Sequence, residues 1–95
     1  MKNKFPVIKV TWFDAEEIGE VGWNSLIDQK KAAKKRPPLM ESVGFLIHDC
    51  STHLSLLSTI GPNESSTLEK IPKGVIMEIT NLVPEFDDSE GEEKD

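Results

Sequence analysis

Glu41-Ser42-Val43-Gly44-Phe45-Leu46-Ile47-His48, a polar Asp49-Cys50-Ser51-Thr52 stretch, and His53-Leu54-Ser55-Leu56-Leu57-Ser58-Thr59-Ile60 decide the fold of this chain. Side chains alternate between the two faces of a strand. Val43, Phe45 and Ile47 therefore share one face of the first segment, and Gly44, Leu46 and His48 share the other. Leu54, Leu56 and Ile60 fall on one side of the second. Two such runs around a short polar turn predict a β-hairpin. Apolar residues occur on both faces of both runs, which suits a small barrel or an oligomer interface better than a one-sided sheet.

Two further strands flank the hairpin. Val7-Ile8-Lys9-Val10-Thr11-Trp12 is rich in β-branched and aromatic residues, with Ile8, Val10 and Trp12 on one face. Val75, Met77 and Ile79 alternate with polar residues up to Val83, and Pro84 closes that strand. Phe13 to Gly22 reads as a loop, with two glycines and four acids, and Gly61 to Ser66 as another. Ser25-x-x-Asp28 matches a capping box, so a helix of about ten residues is expected to start there. Pro37-Pro38 ends it, because proline has no backbone N–H to donate.

The expected fold class is mainly β (α+β): a small, strongly bent antiparallel sheet or an SH3/Sm-like barrel with one short helix, across an open end or on one face. Trp12, Trp23, Phe13 and Phe45 are the expected large core members.

The chain has 95 residues and a formal net charge of -6. Residues 1–83 hold ten acids and ten bases, so the charge resides in the last twelve positions. The expected organisation is an N-terminal extension over 1–6, a single domain over 7–83 and an acidic, disordered tail over 84–95. About 80 folding residues make a marginal core, and self-association is the natural remedy. No apolar run is long enough for a membrane helix, no signal peptide is visible, and a lone Cys50 cannot form an internal disulfide. A cytoplasmic setting fits these features.

Trp12-x-Asp14-Ala15, Gly22-Trp23, Ser42-Val43-Gly44-Phe45-Leu46 and Ile71-Pro72-x-Gly74-x-Ile76-x-x-Ile79 together resemble a group of short, mostly uncharacterised bacteriophage-encoded proteins, over residues 7–83. The resemblance implies a phage accessory protein, with an anti-defence or host-takeover role as its expected setting, and transfers no catalytic residue. The final strand also resembles the end of an Sm-like barrel, a likeness of fold that does not fix function.

Three groups of residues bear on chemistry. His48, Cys50 and His53 place both histidines and the only cysteine within six residues, all of them ligand types for zinc. The simpler reading is a polar hairpin turn with the histidines as a cross-strand pair, since structural zinc sites usually draw on two separated ligand pairs. A Cys50 nucleophile activated by either histidine ranks lower, because an exposed hairpin tip supplies neither an oriented base nor an oxyanion hole. Lys30, Lys31, Lys34, Lys35 and Arg36 form the one basic cluster, able to contact phosphates. A solvated helix end explains them as well, and with one arginine and no tyrosine the usual means of reading nucleic acid are scarce. Asp14, Glu16, Glu17 and Glu20 share one loop, without the spacing of a calcium loop.

The leading expectation is a non-enzymatic, homo-oligomeric binding protein without a cofactor, acting on a host or phage macromolecule or on a small ligand between subunits. An Sm-like nucleic-acid binder using Lys30–Arg36 is the alternative. A metal-binding module or enzyme at His48, Cys50 and His53 is the third.

Overall fold

The computed structural model describes residues 5–82. The expectations for the acidic tail and for residues 1–4 lie outside them. Five strands form one antiparallel sheet: β1 (Val7–Phe13), β2 (Leu39–Asp49), β3 (His53–Leu57), β4 (Leu68–Pro72) and β5 (Ile76–Asn81), in the order β4-β3-β2-β1-β5. One helix, α1 (Leu26–Ala33), lies between β1 and β2, and a single 3-10 turn (Lys73–Val75) joins β4 to β5. The mainly β class with one short helix is the observed architecture.

The topology forces the sheet to bend. Pro72 pairs with His53, at the Asp49 end of β2, whereas Ile76 pairs with Trp12, which lies opposite Met40 at the other end. On a flat sheet these points lie about 30 Å apart along β2 alone, at about 3.3 Å per residue. Four residues of chain reach at most about 14 Å. Only a sheet curled back on itself lets β4 and β5 stand at opposite edges and still be joined by a single turn. The strongly bent sheet is thus the form observed. Among the described residues its two outer strands are not paired with each other.

The bend is centred on β2, whose first part pairs with β1 (Leu39 to Phe45) and whose last part pairs with β3 (Phe45 to Asp49). Gly44 sits at the change-over. A Cβ there would lie 2.8 Å from the Leu57 carbonyl oxygen and 3.2 Å from the Leu56 Cβ, so the close approach requires glycine. Just beyond, a bulge between Leu46 and His48 adds one residue to β2 and sharpens the twist.

The concave face carries the core. Ile8, Val10, Leu54, Leu56 and Ile71 are buried, with Trp12, Leu46, Val75 and Ile76 packed against them. Trp12 Nε1–H donates to Ser42 Oγ at 3.0 Å, and the Ser42 hydroxyl donates to Glu69 Oε2 at 3.2 Å. That chain of hydrogen bonds crosses from β1 through β2 to β4, a span that the curl makes short.

Three expectations need correction. Trp23 is not a core residue: it is 102% exposed, and the largest fully buried side chains are the aliphatic Leu54, Ile71 and Val10. Phe13 and Phe45 are only half-buried. Trp12 is held by a polar partner for its indole N–H as well as by the core, while Trp23 follows a turn on a segment in which no residue is buried. Secondly, the segment from Leu68 to Pro72 is a fifth strand, where sequence patterning gave four. It ends in a proline, which an outer strand tolerates because one side of its backbone needs no partner. Thirdly, the exposed apolar surplus expected on both runs of the hairpin falls mainly on β2, with Ile60, beyond the end of β3, at 38%. Val43 is 54% exposed, but Leu54, Ser55 and Leu56 of β3 are buried.

The helix forms for the expected local reason. The Ser25 side chain accepts from the Asp28 backbone N–H at 3.3 Å, and Lys30 and Lys31 lie in the last turn, where they complement the helix dipole. It is neither across an open end nor against a face of the sheet. Not one of its residues is buried.

Candidate functional sites: the hairpin tip and the α1 arm

At the β2–β3 hairpin tip the backbone closes by the Cys50 N–H donating to the His53 carbonyl at 3.0 Å. Lys73 ties the tip down twice: its N–H donates to the Thr52 carbonyl at 2.8 Å, and its ammonium meets Asp49 Oδ1 at 2.7 Å. The β2 bulge then decides where His48 goes. Plain alternation would carry it onto the concave face with Gly44 and Leu46. The extra residue instead places it opposite Ser55, on the face shared with His53. The two imidazole rings lie 5.4 Å apart, tilted by 36°. The cross-strand histidine pair is therefore present, reached through the bulge.

Cys50 Sγ lies 3.6 Å from His53 Nδ1 and 3.3 Å from Thr52 Oγ1, and Thr52 Oγ1 lies 2.8 Å from the same Nδ1. Cys50, His48 and His53 each bring a ligand atom to within 4.8 Å of the other two. Hydrogen bonding from the Thr52 hydroxyl, then from the backbone at Thr52 and His53 and from His48, lowers the Cys50 thiol to about 6. The tip can therefore supply a thiolate at neutral pH, beside two histidine rings.

The second feature is the connection between β1 and β2. Its base is closed by the Asp14 N–H donating to the Pro38 carbonyl at 3.0 Å. From there residues 14–38 run out as an arm that holds itself together. The Gln29 side-chain amide donates to the Ile18 carbonyl at 2.9 Å, and Asn24 exchanges hydrogen bonds with the Glu20 backbone at 3.0 Å each way. Gly19 turns with φ +121°, a conformation open to glycine. On this arm Val21 and Trp23 are fully exposed, and Leu26 and Ile27 are each 68% exposed.

The other sequence-derived candidates stand as follows. Lys30, Lys31, Lys34, Lys35 and Arg36 are all exposed at the C-terminal end of α1, and none forms an ion pair among the described residues. Asp14, Glu16, Glu17 and Glu20 are not gathered into a cation site. Asp14 Oδ1 accepts from the Ala15 N–H, and His48, Cys50 and His53 are the one cluster of metal-ligand type among the described residues. Sequence reasoning missed the arm as a surface, having assigned Trp23 to the core. Its length was the available clue, since unstructured or protruding connections of this size are usually functional. No helix among the described residues is long and apolar enough to cross a membrane.

No protein family, curated protein or solved structure matches the chain.

Proposed function

We propose that this protein is a non-enzymatic binding module that works as a homo-oligomer, with the arm over residues 14–38 as its docking element. One observation carries the reading: Trp23, Val21, Leu26 and Ile27 stand in solvent on a helix and loop that bury nothing against their own sheet. An isolated helix of eight residues is marginal in water. Exposing a tryptophan and three aliphatic side chains together costs free energy that a partner surface recovers. A second copy is the occupant that the same shortage of core calls for, because only five apolar residues are buried in the described domain. Val43 and Leu68, about half exposed on the convex side of the sheet, extend the surface that copies can cover.

The wider role comes from the resemblance to short bacteriophage-encoded proteins: an accessory protein in the host cytoplasm that acts on a host or phage macromolecule. The same arm carries Lys30, Lys31, Lys34, Lys35 and Arg36 at one end of α1 and Trp23 before the other, and cations and an exposed ring on one arm support nucleic acid as the alternative partner.

Light scattering over a concentration series tests the reading. The expected result is a mass above the 10.6 kDa of one chain at tens of micromolar, reduced to one chain by Trp23→Ser. A single-chain mass at every concentration contradicts it. Co-purifying nucleic acid that is released by salt, with no self-association, would favour the basic alternative instead.

A further inference from the structure

We propose that the β2–β3 hairpin tip is a binding site for a thiophilic divalent cation of the zinc class, ligated by Cys50 Sγ and one ring nitrogen each of His48 and His53, with the fourth position open to solvent. This site is separate from the arm and does not depend on it. The donor set is one sulfur and two nitrogens. Such a set suits zinc and disfavours calcium and magnesium, which require oxygen ligands. The one carboxylate at the tip, Asp49, is already engaged by Lys73 at 2.7 Å.

The spacing agrees with tetrahedral geometry. Zinc bonds of about 2.3 Å to sulfur and about 2.05 Å to nitrogen, at the tetrahedral angle, set the two donor atoms about 3.6 Å apart. Cys50 Sγ and His53 Nδ1 are 3.6 Å apart. The whole triad spans no more than 4.8 Å, so closing on one ion asks for side-chain shifts of about an ångström, at a tip where His48 is exposed and Cys50 and His53 are half-buried.

Three structural features aim these groups at one point. The bulge turns His48 to the face of His53, the tight turn places Cys50 between them, and Lys73 fixes the tip from the neighbouring turn. Thr52 Oγ1, which now contacts both Cys50 Sγ and His53 Nδ1, gives up the nitrogen to the metal and keeps its contact with the sulfur, a supporting hydrogen bond of the kind that orients ligands. Binding replaces the remaining thiol S–H by a sulfur–metal bond and releases that proton to solvent.

The test titrates the full chain, freed of metal by a chelator, with Zn2+, and in parallel with Co2+ as a spectroscopic probe. The expected result is one Zn2+ per chain and a near-ultraviolet sulfur-to-cobalt band. Cys50→Ser removes the band, and His48→Gln and His53→Gln each weaken binding at least tenfold, the least that loss of even a supporting residue brings. Urea unfolding of each variant checks that it folds. Should Cys50→Ser fail to fold, alkylation of Cys50 in the folded wild-type chain replaces it. Fewer than one Zn2+ per chain, a cobalt spectrum without the sulfur band, or affinity unchanged in both histidine variants overturns the proposal.

Discussion

The curled sheet and the α1 arm each carry a tryptophan and branched aliphatic residues, yet they treat them in opposite ways. In the sheet, Val10, Leu54 and Ile71 are almost wholly shielded, and a tryptophan finds both a core and a hydrogen-bond partner. In the arm, Val21 and Trp23 are fully exposed and Leu26 and Ile27 about two-thirds exposed, while hydrogen bonds pair its backbone and polar groups. A large apolar side chain alone therefore does not say where a core is. What separates the regions is long-range pairing: β1 residues are placed by partners 26 to 73 positions away in β2 and β5, whereas the arm is held mainly by local bonds. Stability resides in the first region and recognition in the second.

The contrast can be broken most forcefully at Leu54, buried on the concave face of β3. Leu54→Ala is expected to cost about 2–5 kcal/mol, read as a large fall in the urea midpoint, because a cavity opens among neighbours that cannot collapse. A loss below about 1 kcal/mol would mean that the sheet is not the stabilising unit. Gly44→Ala should cost about 1–3 kcal/mol by the same measurement, since the new methyl meets the Leu57 backbone oxygen. In the arm, Ser25→Ala should cost the helix about 1 kcal/mol and leave the global urea midpoint unmoved. Faster amide exchange at Asp28 and Gln29 would report it, and a shift of the global midpoint would show that the helix is part of the cooperative fold.

The hairpin tip supplies the finest discrimination. In metal-free folded protein, alkylation of Cys50 should reach half its maximal rate near pH 6 and be lost below it, whereas urea-unfolded chain should titrate near the ordinary thiol value of about 8.5. The folded thiol value lies below the unfolded one, so its contribution to stability is present above about pH 8.5 and is lost as pH falls through about 6. A folded-state profile centred near 8.5 would mean that the hydrogen bonds from Thr52 do not hold the tip together.

Much of the sheet was legible because a period of two is a local property. Ile8, Val10, Leu54 and Leu56 declare a shared face without reference to the rest of the chain, and Ser25 declares the helix start in the same way. β4 was not legible. Leu68 and Ile71 fall on opposite faces with Glu69 and Lys70 between them, and the segment becomes a strand only because Leu54 and Leu57 of β3 lie alongside. The exposure of Trp23 was hidden for a related reason: a large ring looks the same in sequence whether or not a partner surface exists. For the hairpin tip, composition pointed to His48, Cys50 and His53, but strict alternation put His48 on the wrong face. The bulge that corrects it is a property of how β2 bends, set by Gly44 and by the chain's return through β4.

Hydrogen exchange followed at two protein concentrations tests the division most directly, by comparing β3 with α1. The account predicts strong protection of Leu54, Ser55 and Leu56 amides at both concentrations, and protection of the α1 amides that appears only at the higher one, as copies cover Trp23, Leu26 and Ile27. Helix amides as protected as β3 in dilute solution, or unprotected at every concentration, would contradict it.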